Sequence, residues 1–143
     1  GNVLFDDYQV PKLADFGSSR LKATNQPVPD LAPITPEYAA PELHHGEPAT
    51  PASDVWGLGA TLCFALTGRP PFDHEDRDLR ERVRSSPPPA LDTLPGDLQR
   101  VLHATLSKDP AQRPTATELV DQLSPITAAN VFVCFTFWLL FIY

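Results

Sequence analysis

Methionine is absent from all 143 residues, cysteine occurs only twice, and lysine plus arginine number 11 against 18 acidic residues. Each scarcity removes a class of function. Cys63 and Cys134 lie far apart in apolar surroundings without Cys-x-x-Cys spacing, which argues against a zinc site or a disulfide framework and for two buried free thiols in a reducing cytosol. The formal charge of −7 leaves no basic footprint for a phosphate backbone, so nucleic acid is not the expected partner. No basic, apolar leader opens the chain. Gly1 runs straight into a strand-like pattern, and without an initiator methionine the first residue reads as a cut end. No internal repeat is visible, and the length suits one domain or part of one.

Proline, by contrast, is abundant at 17 residues and implies many turns. Val3-Leu4-Phe5 and Gln9–Leu13 are strand candidates on either side of the turn-tolerant pair Asp6-Asp7, which predicts a hairpin. From Ser18 to Pro36 the chain is polar and broken by Pro27, Pro29, Pro33 and Pro36, predicting a long loop of the kind that is functional or disordered. Ser53 is placed to cap a helix reaching about Thr67, with Asp54 in its first turn and Gly68 as its stop. Val55, Trp56, Leu58, Ala60, Leu62, Cys63, Phe64, Ala65 and Leu66 put apolar groups on every side of it, the pattern of a helix surrounded by protein. Gly57 and Gly59 each cost that helix about 1 kcal/mol against alanine, a cost that close approach of other backbone would offset. Beyond it come a charged helix at about Glu75 to Val83 and a Ser-Pro linker from Ser85 to Pro89. Leu98, Val101, Leu102 and Leu106 then form one apolar stripe at helical spacing. Thr115 and Glu118 form a capping box that opens a last helix, with Leu119 and Leu123 turned inward.

Charge disappears altogether from Ser124 to Tyr143. The stretch Ile126 to Tyr143 just reaches the roughly 18 uncharged residues at which a membrane span becomes a candidate, yet no Lys or Arg follows Arg113 to orient one. Three readings stand: a membrane helix cut short, a packed or aggregation-prone tail rich in strand-forming residues, or a non-native end.

The chemistry-bearing residues begin with "KLADFGSSRLK", where Asp15-Phe16-Gly17 closes a short apolar run. Three residues alone recur by chance; their weight comes from what surrounds them in order. The chain reads Asn2, Asp15-Phe16-Gly17, Thr35-Pro36-Glu37-Tyr38, Ala40-Pro41-Glu42, Asp54-Val55-Trp56-Gly57-Leu58-Gly59 and Arg113. In that order and spacing it resembles the second half of a protein kinase domain, of the bacterial serine/threonine type. The resemblance covers Gly1 to about Leu123, with 124–143 as a separate tail. It implies a mainly α fold with a small β-hairpin, a partial C-terminal lobe of the kinase-like architecture.

By that resemblance, "GNVLF" matches the end of the catalytic loop, Asn2 the amide ligand of one magnesium ion and Asp15 the carboxylate joining magnesium to the phosphates of ATP. The donor chemistry agrees, because a small hard cation takes oxygen ligands, and an amide and a carboxylate completed by phosphate and water suit magnesium. Without Asp15, Asn2 reads as a turn residue. Leu4 matches the apolar residue beneath the adenine ring and Ala14 the one lining the pocket before the triplet, with strand packing the alternative for each. Thr35 in "ITPEYAAPE" matches the threonine of the segment that receives the substrate residue in serine/threonine kinases, although Ile34 stands where the family usually has glycine. Thr24 is the candidate for an activating phosphorylation, which needs a basic partner; a solvated loop threonine is the alternative. Glu42 and Arg113 match the family's buried ion pair, and Asp54 the helix-start aspartate that accepts hydrogen bonds from the catalytic-loop backbone. His44-His45 are expected as an exposed loop pair, because adjacent histidines rarely face one ion. "LTGRPPF", residues 66 to 72, resembles the stretch leading to a charged helix at which regulators and substrates dock.

Four further family elements have no match in the 143 residues: the G-x-G-x-x-G loop, the V-A-I-K lysine, the helix carrying its glutamate partner, and the H-R-D aspartate. The resemblance puts all of them before Gly1, so no catalytic residue is assigned within the chain and no turnover is expected from it alone. The expected partners are a protein substrate and the N-lobe with the upstream C-lobe helices, without which one side of the helix from Ser53 to Thr67 is left bare unless the tail covers it. A cytoplasmic kinase domain is expected, with membrane attachment through the tail as the alternative. Two functions stand: a serine/threonine protein kinase passing the γ-phosphate of ATP to protein hydroxyls, and a non-catalytic kinase-like scaffold docking through Ile34 to Glu42 and Asp73 to Arg84.

Overall fold

A computed structural model describes residues 2–8, 10–14, 35–72, 78–87 and 91–126, in two units, Gly1–Pro33 and Ile34–Tyr143. The expected long loop before Thr35 and the uncharged tail beyond Ile126 lie outside the described residues.

The first unit is the predicted hairpin. Strands β1 (Val3–Phe5) and β2 (Pro11–Leu13) run antiparallel with Val3 opposite Leu13, Leu4 opposite Lys12 and Phe5 opposite Pro11. Asp6 organises the connection: its carboxylate accepts the N–H groups of Tyr8 at 3.0 Å and Val10 at 2.9 Å, while its own N–H donates to the Val10 carbonyl. The second strand therefore starts at Pro11, not Gln9. Val10 is committed to the turn, and the first strand position tolerates a proline that has no N–H to give.

In the second unit a 3₁₀ turn at Pro36–Tyr38 leads into the short α1 (Pro41–His44) and then the long α2 (Pro51–Thr67). Thr50, not Ser53, caps α2. Its hydroxyl accepts the Ser53 N–H while the Ser53 hydroxyl accepts the Thr50 N–H, a reciprocal box, and Pro51 opens the helix at no hydrogen-bonding cost. Gly68 ends it as expected, at φ 74°, with its N–H on the Phe64 carbonyl. Helix α3 (Leu79–Ser85) starts from an Asp78 cap, later than the charge pattern suggests, and residues 73–77 lie outside the described set. Helix α4 (Gly96–Thr105) carries the predicted stripe, a second 3₁₀ turn spans Pro110–Gln112, and α5 covers 116–126. The predicted capping box opens α5: Glu118 N–H donates to the Thr115 hydroxyl, and Thr115 N–H to the Glu118 carboxylate. Among the described residues no helix is long and apolar enough to cross a membrane.

Helix α2 is the wall shared by three apolar clusters. Trp56 and Ala60 pack with Ala40, Phe72, Val83 and Leu106. Val55 joins Val101, Leu119 and Ile126, and Cys63 joins Leu91 and Leu102. The buried positions 53, 55, 56, 59, 60 and 63 fall on one side of the helix, and Asp54, Leu58 and Ala65 on the other are exposed. Burial is thus one-sided, not all round as the composition suggests, and Leu58 keeps 44% of its surface in the open. The two glycines differ. A Cβ on Gly59 would meet the Thr105 side chain, with Thr105 Cβ at 2.7 Å, so here a side chain of α4, not backbone, makes the close approach. On Gly57 the nearest such atom is the Tyr38 carbonyl oxygen at 3.8 Å.

Candidate functional site

Three of the residues picked from the sequence meet on the hairpin. The Ala14 N–H donates to the Asn2 carbonyl at 2.8 Å, carrying the register one pair beyond Val3 and Leu13. Side chains opposite each other share a face, and those two apart along a strand share it too. Asn2, Leu4, Lys12 and Ala14 therefore line one face, and Val3 and Leu13 the other. Asp15 follows Ala14 directly in the chain but lies, like Thr24, outside the described residues. Leu4 is 56% exposed. The register puts Asn2 directly across from Ala14, the residue that precedes Asp15 in the chain, and an amide and a carboxylate oxygen are donors of the kind that suit magnesium. Among the described residues no group of three or more His, Cys, Asp or Glu side chains could hold a metal.

Thr35 is exposed and extended, at φ −86° and ψ 107°, immediately before the 3₁₀ turn. Its carbonyl accepts the Tyr38 N–H at 3.1 Å, and that of Pro36 accepts the Ala39 N–H at 3.3 Å. Pro36 at the first turn position fixes φ, and the Thr35 side chain makes no capping bond. Ile34 lies outside the described residues.

Behind this segment sits the ion pair. Arg113 grips Glu42 with both terminal nitrogens, Nη1 to Oε1 at 2.7 Å and Nη2 to Oε2 at 2.8 Å, across 71 residues of sequence. Its remaining donors reach the Ala52 carbonyl at 2.9 Å and, through Nε, the Ser107 carbonyl at 2.8 Å, while the Ser53 hydroxyl donates to Glu42 Oε1 at 2.9 Å. Burial alone would raise the Glu42 carboxyl, but the hydrogen bonds from Arg113, the backbone and Ser53 outweigh it and hold it below its ordinary range. Such a fully satisfied buried pair ties α1, α2 and the second 3₁₀ turn into one body. Asp54 stands exposed in the first turn of α2.

Sequence reasoning missed two neighbours of this network. Lys108 extends over the Phe72 ring at 4.2 Å and the Trp56 ring at 5.0 Å, and its ammonium donates to the Val83 carbonyl at the end of α3. Trp56 and Phe72 are themselves stacked, 6.1 Å apart at 9°. Burial, and then the Arg113 charge, lower Lys108 to about 8. Nothing in the local pattern marks this lysine, because its rings come from α2 and from the loop after it. His44 is the other. Expected in the open, it is half-buried, and its Nε2 faces the Pro36 carbonyl at 3.1 Å. His45 is exposed as expected. Cys63 is buried and free, and burial pushes its thiol up, as suits a packing residue; Cys134 lies outside the described residues.

A family model described as "Protein kinase domain" matches residues 1–123. The serine/threonine-protein kinase PknK of Mycobacterium tuberculosis is 35% identical over 137 residues, covering 91% of this chain and 12% of that protein. The probable serine/threonine-protein kinase PkwA of Thermomonospora curvata is 40% identical over 116 residues, 80% of this chain and 16% of its own length. The serine/threonine-protein kinase RUNKEL of Arabidopsis thaliana is 40% identical over 119 residues, 78% of this chain and 8% of its length. The chain thus spans a small part of the relatives it matches.

Proposed function

The chain belongs to the protein kinase domain family, as a mainly α portion of that fold with one small β-hairpin, and we propose that it works within a serine/threonine protein kinase that transfers the γ-phosphate of ATP to hydroxyl groups of a protein substrate. The observation that carries the reading is the hairpin register. It puts Asn2 beside Ala14, the residue before Asp15, and gathers Asn2, Leu4 and Ala14 on one face. Magnesium–ATP, when bound, supplies the transferable phosphoryl group and neutralises charge on its oxygens. The Asn2 amide oxygen and the Asp15 carboxylate are the residues that would hold the metal. Leu4 and Ala14 offer the apolar surface for the adenine ring. Thr35, exposed on extended backbone, receives the hydroxyl-bearing residue of the substrate, and Thr24 is the site of an activating phosphate. Serine/threonine specificity is supported by Thr35 and by the names of the relatives. This reading places the domain in the cytoplasm, where ATP is available.

Residues 1–143 hold no Gly-rich loop, no V-A-I-K lysine and no H-R-D aspartate, so this stretch alone is expected to give no turnover. The test compares the complete gene product with residues 1–143, using radiolabelled ATP, magnesium and a protein rich in Ser and Thr. The complete product should transfer phosphate to Ser and Thr only, and Asp15→Asn and Asn2→Ala should each lower the rate by at least 100-fold, roughly 3 kcal/mol of transition-state stabilisation. Transfer that survives Asp15→Asn overturns the metal assignment. A folded complete product that transfers nothing yet still retains a protein target favours the non-catalytic scaffold.

A further inference from the structure

We propose that His44 is a positioning residue for substrate binding: its imidazole N–H holds the Pro36 carbonyl and thereby fixes the backbone of Thr35 through Tyr38 on which a peptide substrate rests. The inference builds on the reading of Thr35 as substrate-receiving.

Tyr38 anchors the far end of the turn after Thr35, its ring edge-on to Phe64 at 6.3 Å and packed against the Trp56 cluster; the near end, at Thr35 and Pro36, is held by backbone geometry and His44. Pro36 donates nothing, Thr35 makes no side-chain cap, and the turn's own bonds run from Tyr38 to Thr35 and from Ala39 to Pro36 at 3.1 and 3.3 Å, the weak geometry usual for 3₁₀ turns. The Pro36 carbonyl has a second lone pair, and His44 Nε2 lies 3.1 Å from that oxygen. A carbonyl only accepts, so Nε2 carries the proton and the tautomer is set. His44 is itself well anchored. It closes the four-residue α1, whose Glu42 is locked to Arg113 and Ser53 two residues earlier, and whose Leu43 packs with Tyr38 against the Trp56 cluster. A continuous path thus runs from the buried Arg113 through Glu42 and α1 to His44, Pro36 and Thr35. Burial, then Arg80 on α3 and His45 beside it, lower the His44 pKa against the pull of the Pro36 and Ala39 carbonyls, which keeps the ring neutral at neutral pH.

Removing the donor should loosen the segment a peptide meets and leave the nucleotide side alone. In the complete gene product, His44→Leu should weaken the Kd and KM for a labelled Ser/Thr peptide about fivefold, which converts to about 1 kcal/mol, with kcat and the KM for ATP within twofold. His44→Gln, whose amide N–H has comparable reach, should restore peptide affinity to within twofold. Long-range nitrogen spectra of the wild-type imidazole should place the proton on Nε2, a reading that needs neither turnover nor a variant. A proton on Nδ1 overturns the proposal, as does a folded His44→Leu protein whose peptide affinity is unchanged. Thr35→Ala separates the two readings. If it leaves peptide affinity and turnover untouched, the substrate role of the segment fails; if it impairs them while His44→Leu does not, only the positioning role fails.

Discussion

Arg113 shows what a single side chain contributes when every donor it presents is satisfied. Its guanidinium lies wholly out of solvent, bonded to Glu42 and to carbonyls from two other parts of the chain. Removing it leaves a buried carboxylate with only the Ser53 hydroxyl and a backbone N–H for partners, so Arg113→Met should cost about 3–5 kcal/mol in equilibrium denaturation, whereas breaking the exposed pairs Glu81–Arg84 and Asp97–Arg100 should barely change stability. The pH dependence has a definite sign. Because the folded-state pKa of Glu42 lies below its unfolded value, the unfolded chain takes up the proton first as acid is added. The pair's contribution is then complete above the ordinary carboxylate range and is lost as pH falls through the folded pKa. Glu42→Gln should flatten that acid limb; an unchanged limb would mean that other carboxylates govern it. The pair was legible only through family resemblance, since no local pattern links residues 71 apart. The role of His44 was not legible at all, because its partner is a backbone carbonyl, which carries no sequence signature.

At the scale of elements, the local signals were read best where one turn of chain contains both partners. Gly68 at a left-handed C-terminus and the Thr115–Glu118 box are such cases, and both stand as expected. The start of α2 shows the limit of this reading. Ser53 looked like the cap because Asp54 and the apolar run follow it, but Thr50 and Pro51 extend the helix by most of a turn, and Ser53 takes the third position of the box while also donating to Glu42. The glycines of α2 give an internal control. Alanine at either position gains up to about 1 kcal/mol of helix propensity, but at Gly59 its methyl would drive into Thr105, which is fully buried and bonded to the Leu102 carbonyl and has nowhere to move. Gly59→Ala should therefore destabilise by about 1–3 kcal/mol through overpacking, and Gly57→Ala, with 3.8 Å to its nearest such neighbour, should leave stability level or raise it. Thermal melts of the two variants check this. A rise for both would mean that α2 and α4 are not packed this closely.

For the molecule as a whole, the composition of α2 suggested burial on all sides, and the described residues supply it on one. Periodicity cannot make that distinction, because an apolar side chain reads the same whether or not its cover belongs to the same stretch of chain. The open positions are substantial: Leu58 and Phe64 are 44% and 45% exposed, and in the hairpin unit Leu4 and Leu13 are 56% and 70% exposed. A two-stranded hairpin is marginal by itself, whereas Trp56, Leu102, Leu106 and Leu119 are almost fully enclosed. Residues 1–143, purified by themselves, should accordingly bind a hydrophobic dye and show a gradient of amide exchange. The ladder amides of Leu4 and Lys12 should exchange within minutes, while Ala60 and Leu106, both in the main cluster, stay protected for far longer. Leu58→Gln should lower dye binding and shift stability by no more than about 0.5 kcal/mol, since the site is half in water already. Leu102→Gln, at 1% exposure, should abolish the cooperative melt. A sharply melting monomer that binds no dye and protects its hairpin amides as well as Ala60 would mean that residues 1–143 cover their own apolar surface.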